Sequence, residues 1–104
     1  MAFKLQPNPT FPSRVAISVP GQEKPAVITI TFKHLSRPQI KEFFGGNEGK
    51  TDAEALSSIV VGWEGVDEKY SPEALGELLD NYPTAAGEIF DAFRKDLMES
   101  RAKN

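Results

Sequence analysis

The chain has 104 residues, with 12 Lys+Arg against 15 Asp+Glu for a formal net charge of −3, one His, one Trp, no Cys, eight Gly and eight Pro. That length makes one modest domain, able to bury roughly 65% of the surface its unfolded chain exposes and so to fold without disulfides or a structural metal. The lack of Cys excludes disulfides, thiolate metal sites and Cys nucleophiles, the single His excludes His-rich zinc arrangements, and 39% apolar with 26% charged content excludes collagenous, coiled-coil and disordered chains.

Phe3-Lys4-Leu5 alternates briefly before Pro7, Pro9 and Pro12 interrupt any regular ladder, so residues 1–12 read as an extended arm that can hug a sheet edge. Residues 1–11 carry one Lys and no signal-like apolar stretch, and no run in the sequence approaches the ~18 apolar residues of a membrane span, so the expected location is the cytoplasm. Asn8-Pro9-Thr10 has the outline of a glycosylation acceptor, which its central Pro disqualifies. Across residues 13–34, Val15, Ile17 and Val19 alternate on one face and Ile28, Ile30 and Phe32 on another, giving two half-buried strands. The turn-rich Pro20–Pro25 segment between them makes the pair an antiparallel hairpin.

The helical part is expected over residues 36–100. Ser36-Arg37-Pro38-Gln39 has the residues of a capping box with Pro in the first turn, followed by Ile40, Phe43 and Phe44 on one face and closed by Gly45-Gly46. Asn47–Lys50 then reads as a polar, mobile loop. A second helix opens at Thr51-Asp52-Ala53-Glu54, and its Leu56, Ile59, Val60 and Trp63 fall at i, i+3, i+4 and i+7, the stripe of a core-facing helix. Ser71-Pro72-Glu73 starts a third, with Leu75, Leu78 and Leu79, ending at Asn81 before Tyr82-Pro83. The longest runs from about Thr84 to Ser100 on Ala86, Ile89, Phe90, Phe93 and Leu97, and residues 101–104 are expected to fray. Strands grouped before helices predict an α+β fold, a hairpin packed against a bundle of about four helices in a single domain spanning 1–104. The predicted core is Val15, Ile17, Ile28, Ile30, Phe32, Leu56, Ile59, Trp63, Leu78, Ile89, Phe90 and Phe93.

No motif carries catalysis. Gly45–Thr51 resembles a phosphate-binding loop, yet only three residues separate Gly45 from Gly49-Lys50-Thr51 where that loop needs four, and a helix precedes it where a strand is required. His34 is expected to pack at a strand end with one ring nitrogen hydrogen-bonded, since no serine lies in a nucleophile-elbow pattern to use it as a base. Glu73, Glu77 and Asp80, like Glu88 and Asp91, have the spacing of solvated helix faces. No cofactor or metal is expected. Residues 1–50 hold seven Lys/Arg and three acids, whereas 51–104 hold five Lys/Arg and twelve acids. Such polarity reads first as independently solvated faces, with self-association of unlike ends as its alternative use, and the scattered basic residues do not form the concentrated face that nucleic-acid binding needs. The Pro-punctuated arm with Phe3, Leu5 and Phe11, and the inter-helix joints at Tyr70 and Tyr82, are the candidate partner-binding residues.

Asn8-Pro9-Thr10-Phe11 ahead of a Val-Ile strand, Pro20-Gly21, Ile30–His34, Ile59-Val60-Val61-Gly62-Trp63, and Leu78–Pro83 with Ala85-Ala86 together resemble the phage tail assembly chaperones of long-tailed phages and prophages, over residues 3–98. The resemblance implies a non-enzymatic protein that coats the tape measure protein, keeps it soluble, helps recruit tail tube subunits in the host cytoplasm and is absent from the mature virion. It implies no membrane, nucleic-acid or small-molecule partner and carries no site residues with it. The alternatives are a small DNA-binding regulator or a minor virion structural protein.

Overall fold

A computed structural model describes residues 3–46 and 49–99. The expected frayed tail at 101–104, the last helical residue Ser100, the start of the arm at Met1 and Ala2, and Asn47-Glu48 of the polar loop lie outside the described residues. The element order is β1 (Thr10–Ile17), β2 (Ala26–Lys33), α1 (Arg37–Gly45), α2 (Asp52–Ser57), β3 (Val60–Glu64), α3 (Pro72–Asn81) and α4 (Ala85–Met98).

The fold is α+β, but its sheet has three antiparallel strands in the order β1-β2-β3 rather than a lone hairpin. The third strand comes from the segment expected to continue the second helix. After six helical residues the chain turns at Ser57 and Ser58, whose hydroxyls donate to the carbonyls of Glu54 (3.0 Å) and Ala55 (2.6 Å). The β-branched run Ile59-Val60-Val61 then takes the extended backbone it favours. Val60 faces Phe32 and Trp63 faces Ile30 across β2, with a bulge near Val61 because the pairing shifts between Thr31 and Phe32. The helical stripe of Leu56, Ile59, Val60 and Trp63 is thus a coincidence of spacing that strand pairing overrides.

β1 also begins at Thr10, inside the segment read as arm, so Phe11 and Pro12 are strand residues. The His34 amide donates to the Pro9 carbonyl at 2.9 Å. Extended along the Thr10↔Lys33 register, that bond makes the odd-numbered residues of β1 the ones whose backbone faces β2. Pro12 therefore points its missing donor away from the sheet, at the open edge, where it costs no ladder bond. Between the strands, Val19-Pro20-Gly21-Gln22 closes a turn with a 3.0 Å Gln22 to Val19 bond, and Gly21 supplies the positive φ of +85°.

The first three helices start where the capping signals place them, and α4 begins at Ala85 with no side-chain cap at Thr84. Gln39 Oε1 accepts from the Ser36 amide at 2.8 Å, Thr51 and Glu54 exchange reciprocal bonds of 2.9 and 3.1 Å, and the Ser71 hydroxyl accepts from Ala74 at 3.0 Å. Burial on β1 and β2 falls on one face only, carrying Val15, Ile17, Ile28, Ile30 and Phe32, and the helices cover that face. Leu56, Ile59, Val60, Leu75, Ile89 and Phe93 complete the centre, while Trp63, Leu78 and Phe90 pack around it partly exposed. α4 is held along β1 by two polar pairs. The buried Ser13 hydroxyl donates to Asp96, and the Ser18 hydroxyl donates to Glu88, whose carboxylate also accepts from the Ser18 amide at 3.1 Å.

Candidate protein-interaction site

Two surface features of opposite character lie at opposite ends of the sheet. At the end where β1 begins, Phe3 and Leu5 are each 91% exposed, and Lys4 Nζ donates to Asn8 Oδ1 at 2.9 Å along the arm. Phe44 of α1 and Met98 at the end of α4 add further exposed apolar surface. Phe11 does not share the arm's exposure. It stacks on Phe93 with ring centroids 6.2 Å apart and lies 5.8 Å from Phe32, while Phe43 reaches Phe93 at 5.8 Å. These rings close the core at this end, and Phe11 leaves only part of its surface to solvent. His34 is half-buried beside Pro7, Asn8, Phe11, Asp96 and Leu97 around a shallow depression.

The other end holds a cleft of about 450 Å³ between the hairpin, β3 and α3. Its floor includes Ile17, Val19, Trp63, Leu78 and Tyr82, and Asp67, Glu68 and Glu77 line it as exposed residues. Trp63 anchors one wall: its Nε1 donates to the Glu68 carbonyl at 2.8 Å, and its ring meets Tyr70 edge to face at 5.1 Å. The Tyr70 hydroxyl donates to the Val60 carbonyl at 3.3 Å, which from the β2–β3 register points away from β2, at the sheet's second open edge. Burial pushes the Tyr70 phenol above its ordinary value. Gly65 lets the chain leave β3 into this loop, with φ +91°.

The structure thus separates the five residues singled out from sequence. Phe3 and Leu5 stand free, Phe11 joins the core rings, Tyr70 braces β3, and Tyr82 lines the cleft. Sequence reasoning missed the cleft, which is assembled from residues more than 60 positions apart. It also missed the pairing of Ser13 and Ser18 with α4, although Ser13 falls on the apolar face of its strand, where a hydroxyl signals a buried partner. In the Gly45–Thr51 segment a helix does precede the glycines, and the Thr51 hydroxyl is taken up by the Glu54 amide.

Among the described residues no three His, Asp or Glu side chains gather to hold a metal, and no helix is long and apolar enough to cross a membrane. What the surface offers is exposed apolar side chains at one end of the sheet and a cleft at the other. A family model described as phage tail assembly chaperone matches residues 1–104, and the chain belongs to that family. Membership implies protein partners in tail assembly. No curated protein and no solved structure matches the chain.

Proposed function

We propose that the chain acts without catalysis as a chaperone that binds the tape measure protein, keeps it soluble and assists assembly of the tail tube, working in the host cytoplasm and leaving before the virion is complete. The whole of 1–104 acts as one domain in this reading. The observation that carries it, beyond family membership, is the pair Phe3 and Leu5, each 91% exposed on an arm that the domain does not cover. Large side chains left in water at that level favour a partner that removes them from it. The proposed contact surface is Phe3 and Leu5, the open part of Phe11, and the Tyr70 and Tyr82 joints.

The test is co-expression with an apolar, helix-rich fragment of the tape measure protein from the same genome, followed by size-exclusion chromatography with light scattering. Co-elution that keeps the fragment soluble is the expected result and gives the stoichiometry. A monomer beside a precipitated fragment overturns the reading.

A further inference from the structure

We infer that the acidic cleft receives the Phe3-Lys4-Leu5 arm of a second copy of this chain, in a head-to-tail contact that repeats from copy to copy. The inference goes beyond the proposed chaperone role: it concerns the free protein, in which a second copy covers the same arm residues until a client takes its place.

The two halves of the contact are complementary on one molecule. Residues 1–9 carry Lys4 and no acid, and Phe3 and Leu5 flank that lysine as two apolar side chains without cover. Residues 64–81 carry six acids, Glu64, Asp67, Glu68, Glu73, Glu77 and Asp80, against the single Lys69. Three of these, Asp67, Glu68 and Glu77, line the cleft, whose floor is apolar through Val19, Leu78 and Tyr82. Among the described residues the one ion pair is Arg94–Glu99 at 3.9 Å, so these three carboxylates have no cation of their own. A short apolar–basic–apolar segment matches an apolar floor with an acidic rim in chemistry.

The topology makes the partner a second copy. The arm enters β1 at Thr10, whereas the cleft lies beyond the far end of that strand, at Ile17 and Val19. Eight strand residues separate the two by about 26 Å at ~3.3 Å per residue. The arm is directed away from that end by the Pro9 to His34 bond, which keeps it in line with β1. Its own cleft would require full reversal of the chain within a few residues containing Pro7 and Pro9. Arm into neighbouring cleft is a heterologous contact, which propagates rather than pairing off. Each contact is smaller than the about 800 Å² per partner of a stable interface, so the free protein associates weakly and only at high concentration.

The experiment uses the full chain without any client, together with a synthetic peptide of residues 1–9. Peptide titrated into labelled protein is expected to move the amide signals of Val19, Gly65 to Glu68 and Tyr82, and a Phe3→Ser/Leu5→Ser peptide to leave them in place. Light scattering of the wild-type chain up to millimolar concentration is expected to show a mass rising above the monomer. Phe3→Ser/Leu5→Ser should abolish that rise, and Lys4→Glu or Glu77→Lys should each reduce it several-fold. The two charge reversals combined in one chain should restore it. All four positions are exposed, and circular dichroism checks that the variants fold. Association that survives Phe3→Ser/Leu5→Ser, peptide shifts that map to the open face of the sheet instead, or no rescue by the paired reversal overturns the inference. A chain that stays monomeric alone yet keeps the tape measure fragment soluble overturns it too, and leaves the chaperone reading standing.

Discussion

Phe11 and the two arm residues Phe3 and Leu5 look alike in sequence and stand in opposite physical states. A side chain 91% exposed has almost no burial to lose, so Phe3→Ser/Leu5→Ser is expected to change unfolding free energy by less than about 0.5 kcal/mol. Phe11 touches both Phe32 and Phe93, so Phe11→Ser should cost about 2 kcal/mol or more, read as a lower midpoint in urea at constant slope. Tyr70 gives a second prediction, in pH. Its phenol is held above the usual value by burial, and its hydrogen bond to Val60 also needs the proton. The folded state therefore binds this proton more tightly than the unfolded chain. The corresponding stability is complete below about pH 10, the unfolded value, and is lost as pH rises through the folded one. Chemical denaturation from pH 8 to 11 should show this loss, and Tyr70→Phe should flatten the part of the slope that Tyr70 carries.

At the scale of elements, the helices are not equally secured. α1 has no fully buried residue, whereas α4 buries Ala85, Ile89, Ala92 and Phe93 and is bonded to β1 near both ends. α1 is held chiefly by Phe43 and Phe44 against Phe90 and Phe93. Native-state hydrogen exchange should therefore release the amides of α1 through a low-energy local opening and those of α4 only near global unfolding. Equal protection in the two helices would contradict this. The capping residues Ser36, Thr51 and Ser71 were legible because a cap is a local bond between residues three apart. The identity of β3 was not legible. Leu56, Ile59, Val60 and Trp63 satisfy the helical period, and only the β-branched run at 59–61 and the availability of an unpaired β2 edge decide for a strand. The α+β class survives that error because the added strand joins the same sheet.

At the scale of the molecule, one core joins all the elements. The phenyl rings of Phe11, Phe32, Phe43 and Phe93 close it at one end, and Trp63 with Tyr70 closes it at the other. Unfolding followed by Trp63 fluorescence, which reports the cleft end, should therefore coincide with unfolding followed by far-ultraviolet circular dichroism, which is dominated by the helices. Separate transitions would mean that the β3 loop opens independently. The prolines marked the stretch ahead of β1, yet Thr10, Phe11 and Pro12 of the expected arm belong to the strand, and the cleft was not legible. It exists only once Val19, Trp63 and Tyr82 are brought together by the fold, and no spacing along the chain encodes that meeting.

Pro12 has a consequence for how copies of this protein can part. A strand edge that offers every amide would invite a neighbour to add its own strand, and such joints release slowly because many backbone bonds must break in concert. On β1 the outward position at Pro12 has no donor, just past the strand's end the amide of Ser18 is occupied by Glu88, and the outward Val60 carbonyl of β3 is occupied by Tyr70. Cross-β growth along either edge is thereby discouraged. Contacts between copies are left to a few side chains, which can let go one at a time. If copies associate arm to cleft, they can therefore part without either one unfolding.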